Sequence, residues 1–101
     1  MSGHQAAAAG IVAAFYLSKF DHERLNLGNQ TETVHRIAKY LGINRNTLRQ
    51  QRDYFDSHTG SHRQGWKAAL PPQLDAAFQE LMRLDEPSLR RQVLSSIGIS
   101  E

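Results

Sequence analysis

Two short apolar patterns of helical spacing, separated by a three-residue break, lie in the middle of the chain and constrain its fold most. The first pattern has apolar residues three, one and three apart, as on one face of a helix: Val34, Ile37, Ala38 and Leu41. Gly42 follows at once, and glycine readily takes the left-handed conformation that ends a helix. Asn44 is a good N-cap for a second helix over 45–55, whose inner face would carry Leu48 and Phe55. The stretch predicts two helices joined by a tight turn.

Apolar periodicity elsewhere predicts an all-α fold, a bundle of about five helices with room for a short wing. The predicted helices cover residues 6–20, 31–41, 45–55, 72–84 and 87–97. The first is rich in alanine and apolar nearly all round, so we expect it to be buried or paired with another chain. An extension over 21–27 would continue this helix to Gly28, and Thr31 followed by Glu32 suits the start of the next one.

The length of 101 residues is that of one small domain. We expect a single domain over 1–101, with the two-helix motif over about 33–55, a loop or wing over 56–70 and a helical pair over 71–98. The chain has no cysteine, which excludes disulfides, thiolate zinc sites and a cysteine nucleophile and is typical of a cytoplasmic protein. No apolar run approaches the ~20 residues that a membrane span requires, so we expect no membrane association.

Positive charge is concentrated in the middle of the chain. Between Arg36 and Lys67 there are seven basic residues and two acidic ones, whereas the whole chain has a net charge of +2. A basic segment flanked by neutral or acidic ones is typical of a surface that binds an anion. A solvated helix surface would give the same pattern, so charge alone leaves both interpretations open.

The spacing of the two central helices and their turn is that of a helix-turn-helix, so we expect a helix-turn-helix or winged-helix-like domain. Its second helix would present one exposed cationic ridge of side chains that suit DNA: Arg45, Asn46, Thr47, Arg49, Gln50 and Arg52. Arginine can donate two hydrogen bonds to guanine, and Asn or Gln can pair with adenine. We expect phosphate contacts from Arg36 and Lys39 on the preceding helix and from Arg63 and Lys67 in the loop or wing. The sequence therefore predicts a nucleoid-associated protein that binds double-stranded DNA.

Several short motifs between Ala14 and Trp66 occur in the order found in a known module. They are Phe15-Tyr16-Leu17-Ser18, Leu41-Gly42, Asn46-Thr47-Leu48, Arg52-Asp53-Tyr54-Phe55-Asp56, and Gly65-Trp66 before Pro71. Together they resemble the helix-turn-helix module of prokaryotic restriction-endonuclease-like proteins. The resemblance implies a module that recognises DNA by sequence or base modification in a restriction or defence protein, joined to a nuclease or acting beside one.

No catalytic centre is predicted within the chain. Restriction nucleases of the commonest fold need an acidic residue two positions before a lysine, and no Asp or Glu here has that neighbour. His58 and His62 have the spacing of a metal pair on a helix, but they straddle Thr59-Gly60-Ser61, and no third ligand is evident. We expect no catalytic residue, metal or cofactor, although a longer parent protein could be a nuclease.

A single small module binds DNA weakly, so we expect a homodimer or a fused or associated nuclease domain. The alternative function is that of a small transcriptional regulator or an antitoxin-type protein-interaction module. The apolar first helix fits this alternative as well, because such a surface suits a protein partner.

Overall fold

The computed structural model describes residues 3–59 and 69–99, and their regular structure is entirely helical. The α-helices are α1 (Gly3–Phe20), α2 (Gln30–Leu41), α3 (Arg45–Thr59), α4 (Pro72–Leu81) and α5 (Glu86–Ser96). A 3-10 turn, Glu23–Leu25, lies between α1 and α2. The expected all-α class is confirmed for these residues. The predicted wing falls mainly on residues 60–68, which lie outside the described residues.

Helix α1 is the centre of the fold, and each of the other four α-helices packs against it. The residues from Ala13 to Ser18 are all buried, so every face of α1 is covered along this stretch by its own chain. Small alanines let the neighbouring helices come close, while Tyr16, Phe15 and Leu17 are among the largest fully buried side chains of the fold. At Gly10 a Cβ would lie only 2.7 Å from Ile43 Cδ1, so glycine lets the α2–α3 turn reach α1.

Helix α1 ends at Phe20, and the predicted extension over 21–27 is wrong. Asp21 has a φ of 69°, a left-handed conformation that breaks the helix. Its carboxylate accepts a hydrogen bond from the backbone N–H of His22 at 2.9 Å, a local bond that competes with helix continuation. The chain then enters the 3-10 turn.

Helix α2 begins one residue earlier than predicted because its N-cap is Asn29 and not Thr31. The Asn29 side chain accepts a hydrogen bond from the backbone N–H of Glu32 at 2.8 Å. The Glu32 carboxylate in turn accepts one from the backbone N–H of Asn29 at 3.1 Å. This reciprocal capping box satisfies two donors at the helix start.

The turn between α2 and α3 is closed by Gly42, which has a φ of 72°. Its N–H donates to the carbonyls of Ala38 and Lys39, and Ile43 N–H donates to Ala38 O at 3.0 Å. These bonds satisfy carbonyls at the end of α2 in the manner of a left-handed C-cap. The Asn44 side chain then accepts from the backbone N–H of Asn46 at 2.7 Å, which helps to start α3.

Three phenylalanine rings join α1, α3 and α4 in the core. Phe15 meets Phe55 edge-on, with ring centroids 5.4 Å apart, and meets Phe78 at 6.0 Å. Phe55 and Phe78 are stacked at 6.3 Å. Because such aromatic contacts add to simple area burial, this cluster fixes α3 against α1.

Helix α3 continues to Thr59, so its predicted end at residue 55 is wrong and residues 56–59 are helix, not loop. Two long-range contacts hold the last turn in place. The His58 ring packs edge-on against Phe78 with centroids 5.9 Å apart. The Thr59 and Ser18 hydroxyl oxygens are 2.7 Å apart and share a hydrogen bond.

The last two helices differ from prediction only at their ends. Helix α4 ends at Leu81, three residues before the predicted end, and a turn follows. Helix α5 begins at Glu86, one residue early, because Asp85 is its N-cap and accepts from Ser88 N–H at 3.0 Å. Hydrogen bonds from the Ser88 side chain and from its backbone N–H lower the pKa of the Asp85 carboxyl.

A buried carboxylate connects α1, the 3-10 turn and α5, and we call this group the Glu86 cluster. The Tyr16 hydroxyl donates to Glu86 Oε2 at 2.6 Å, and Arg24 Nη1 donates to Oε1 at 3.1 Å. Arg90 Nε lies 3.6 Å from Oε2. Burial and the negative charge of Glu86 raise the pKa of Tyr16 well above its usual value. Burial by itself would raise the pKa of Glu86, but the hydrogen bonds from Tyr16 and Arg24 outweigh it and lower that pKa.

Candidate nucleic-acid interface

The first two turns of α3 carry the exposed polar side chains that the sequence assigned to a binding ridge. Five of them are exposed: Arg45, Asn46, Thr47, Arg49 and Gln50. Leu48 and Phe55 on the opposite side are fully buried. Burial of that apolar stripe against α1 fixes the rotation of the helix about its axis, and so turns the five polar side chains to the surface.

Arg52 does not belong to this exposed set, and the expectation that it points outward is wrong. Its side chain is only 11% exposed, and its Nη2 donates to Asp53 Oδ1 at 3.2 Å. The physical reason is its place on the helix, four residues after Leu48 and three before Phe55. That spacing puts Arg52 at the margin of the buried stripe.

A groove of about 310 Å³ lies between α2 and α3. We call it the arginine groove, and its lining residues are Gln30, Thr31, Val34, His35, Arg45, Arg49 and Arg52. None of these lining residues is acidic. Arg45 Nη1 lies 3.5 Å from His35 Nδ1, which ties the start of α3 to the middle of α2. Three guanidinium groups therefore border one concave surface.

Neither Arg45 nor Arg49 forms an ion pair with a described residue. In this they differ from the paired arginines Arg24, Arg52 and Arg90 and are like the other exposed arginines of the described ranges, Arg36, Arg83 and Arg91. The Arg45 and Arg49 side chains are both exposed, so their charge faces solvent. The groove consequently carries positive charge that no carboxylate of residues 3–59 or 69–99 compensates by direct contact. Such a surface attracts anions.

Asn46 and Gln50 form a second feature of α3, which we call the amide crest. They lie four residues apart, on one side of the helix, and line a shallow depression of about 340 Å³ together with Arg49 and Asp53. Arg45 does not line this depression. Among the described residues, only Arg49 borders both the crest depression and the groove.

The other predicted contact residues lie apart from these two features. Arg36 and Lys39 are exposed on α2 but line neither the groove nor the crest depression. Arg63 and Lys67 lie outside the described residues. The structure thus brings Arg45 and Arg49 together at one groove and leaves the two α2 cations elsewhere on that helix.

Sequence reasoning missed the α2 contribution to the arginine groove. Thr31 and His35 line it from α2, together with Gln30. Thr31 and His35 are four residues apart, so they lie on one side of the helix, next to the apolar stripe. This spacing is the one local signal in the sequence that the two residues share a surface. That this side faces α3 depends on how the two helices cross.

The histidine pair considered for a metal is not assembled within the described ranges. His58 lies on α3 and packs against Phe78, and His62 falls outside the described residues. Across residues 3–59 and 69–99 there is no group of three or more His, Asp or Glu side chains placed to hold a metal ion. In the same ranges no helix has the length and apolar character needed to cross a membrane.

Over the described residues the chain is a set of packed helices in which the helix after a tight turn exposes arginine and amide side chains. No family model matches it, and neither a curated protein nor a solved structure is significantly similar to it.

Proposed function

We propose that this chain is a double-stranded DNA-binding domain in which α2 and α3 act as a helix-turn-helix and α3 enters the major groove. The observation that carries the proposal is the exposed set on the first turns of α3. It combines two arginines that lack ion pairs among the described residues, Arg45 and Arg49, with the hydrogen-bonding side chains of Asn46, Thr47 and Gln50.

The physical basis is the match between this set and B-form DNA. The major groove admits one α-helix, and base edges there are read by arginine and amide side chains. Phosphates on both sides of the groove attract unpaired guanidinium groups and release their counterions on binding. Arg36 and Lys39 on α2, and the sequence candidates Arg63 and Lys67, are proposed as further phosphate contacts.

The motif resemblance supports a more specific role as the recognition module of a prokaryotic restriction or defence protein. In that role the chain would be fused to a nuclease or act beside one, with no catalytic residue or cofactor of its own, and would work at the nucleoid in the cytoplasm. Homodimerisation is the other way to raise the affinity of so small a module, because a dimer engages two half-sites.

The test is a salt titration of binding to labelled duplex DNA, followed by fluorescence anisotropy. We expect binding at about 50 mM salt and a steep loss of affinity as salt rises. The double variant Arg45→Gln/Arg49→Gln should lower the slope of log K against log salt by about 2. The matched control is Arg83→Gln/Arg91→Gln, which removes the same charge from exposed arginines near α4 and on α5 and should keep the slope.

Absence of duplex binding by the wild-type chain at low salt would overturn the proposal. Equal effects of the groove pair and the control pair would show only a general charge attraction and would also count against it.

A second candidate function, that of a protein-interaction module of the regulator or antitoxin type, is favoured by another surface. A groove of about 680 Å³ between α1 and α5 is lined by the apolar side chains Ala9, Val12, Leu94 and Ile99, among others. Exposed apolar grooves suit protein contacts. This function would replace DNA binding if the salt titration shows no duplex binding.

A further inference from the structure

We propose that α3 separates two tasks in space: Arg45 and Arg49 hold a DNA phosphate at the arginine groove, and Asn46 and Gln50 on the amide crest recognise adenine. This inference rests on the proposed function and goes beyond it, because the sequence pattern alone treats all exposed α3 side chains as one ridge.

The geometry of α3 carries the separation. Arg45 and Arg49 are four residues apart and border the groove towards α2, and Arg52 follows three residues later on the same edge. Asn46 and Gln50 are each one residue further on, which rotates them by about 100° around the helix. They line a different depression, which Arg49 also borders and Arg45 does not.

The chemistry of the arginine groove suits a phosphate better than a base. Arg45 and Arg49 carry like charges on one helix edge, next to Arg52, whose charge is already met by Asp53. An anion between Arg45 and Arg49 relieves their mutual repulsion. Thr31 adds a hydroxyl and Gln30 an amide from the first turn of α2, whose positive end also favours an anion. A base edge is neutral and gains less from this concentration of positive charge.

Two acids are sequence neighbours of groove-lining residues, Glu32 beside Thr31 and Asp53 beside Arg52, and both already accept hydrogen bonds. The Glu32 carboxylate accepts the capping bond of Asn29 at 3.1 Å. The Asp53 carboxylate accepts from Arg52 at 3.2 Å. Both acids therefore have donors of their own, while Arg45 and Arg49 retain their charge for a ligand.

The amide crest suits adenine. A side-chain amide offers one donor and one acceptor, which match the N7 and N6 groups of adenine in the major groove. A separation of four residues places Asn46 and Gln50 about 6 Å apart along the helix axis. Successive bases of one strand rise about 3.4 Å, so the two amides can reach adenines at neighbouring or next-neighbouring positions.

The experiment begins by selecting duplexes that the wild-type chain prefers from a randomised pool. Affinity is then measured for the selected duplex and for one in which its adenines are replaced. We expect Asn46→Ala and Gln50→Ala to reduce the ratio of the two affinities by roughly 10-fold or more and to leave the salt slope unchanged. Arg45→Gln and Arg49→Gln should weaken both duplexes equally, keep the ratio and lower the salt slope by about 1 each.

Two outcomes would overturn the inference while leaving DNA binding intact. One is a loss of the affinity ratio in the arginine variants, which would make the arginines base readers. The other is a wild-type chain that binds duplexes but selects no adenine-containing sequence. Failure of the wild-type chain to bind any duplex at low salt is a different result, because it overturns the proposed function itself. All four side chains are exposed, so each variant should melt close to the wild-type temperature and remain testable.

Discussion

Arginines occupy two contrasting environments in this molecule, the Glu86 cluster and the arginine groove. In the cluster, Arg24 and Arg90 lie beside the buried Glu86 carboxylate, which also accepts a hydrogen bond from the Tyr16 hydroxyl. In the groove, Arg45 and Arg49 are exposed and form no ion pair with a described residue. An arginine that is paired within the fold contributes to stability, whereas the charge of an exposed arginine without an ion pair is available to a partner.

The largest expected effect on stability comes from removing the carboxylate of the Glu86 cluster. Glu86→Ala leaves the Tyr16 hydroxyl buried without its acceptor and two arginines without their counter-charge. We expect a loss of about 2–3 kcal/mol in the free energy of unfolding, less than for a fully buried pair because Arg24 is largely exposed. Urea unfolding measures this loss. A change below about 0.5 kcal/mol would mean that the cluster contributes no more than an ordinary surface position.

The next largest effect comes from giving the arginine groove the counter-charge that it lacks. Thr31 lines the groove in the first turn of α2, so Thr31→Glu places a carboxylate beside Arg45 and Arg49. We expect duplex affinity to fall by roughly 10-fold while stability stays within about 0.5 kcal/mol, because an acid suits a helix start. The matched control is Gln73→Glu in the first turn of α4, and it should leave DNA affinity unchanged. Unchanged affinity in Thr31→Glu would show that the groove takes no part in binding.

The Glu86 cluster should also make stability depend on pH at both extremes. The folded-state pKa of Glu86 is lowered, so the unfolded state binds more protons in acid and stability falls as pH drops below the ordinary Glu value of about 4.3. The folded-state pKa of Tyr16 is raised, so its contribution is complete below the ordinary Tyr value of about 10 and is lost as pH rises above it.

Tyr16→Phe separates these two effects. We expect a cost of about 1 kcal/mol at neutral pH from the lost hydrogen bond and a flatter decline above pH ~10. Unfolding free energies measured from pH 3 to 11 test both parts. An alkaline decline of wild-type size in Tyr16→Phe would assign that decline to another group.

The sequence predicts the α2–α3 pair well because its signals are local and agree with one another. The apolar stripe, the left-handed Gly42 and the polar cap Asn44 each act within a few residues. The end of α3 is different, because contacts with Phe78 and Ser18, far along the chain, hold its last turn. Local propensity cannot report such tertiary contacts.

The candidate site likewise has one part that local sequence signals predict and another that depends on tertiary packing. Exposure of Arg45, Asn46 and Gln50 follows from the buried stripe opposite them, which the sequence displays. Arg52 lies at the margin of that stripe, and only the packed neighbours decide that it is covered. The distinction between groove and crest also needs the crossing of α2 over α3, which no periodicity encodes.

The smallest expected effect is the most direct test of the comparison between the two arginine environments. Arg45→Gln and Arg49→Gln should change the free energy of unfolding by no more than about 0.5 kcal/mol, in the stabilising direction at low salt, because each removes one of two neighbouring positive charges that have no ion pair with a described residue. Urea unfolding at low and moderate salt measures this, with Arg90→Gln as the control that removes an arginine bound to Glu86 and should destabilise the chain. A side chain that serves only to bind a partner has little effect on the free energy of unfolding when that partner is absent. A loss of more than about 1 kcal/mol in the groove variants would therefore mean that these arginines stabilise the fold itself.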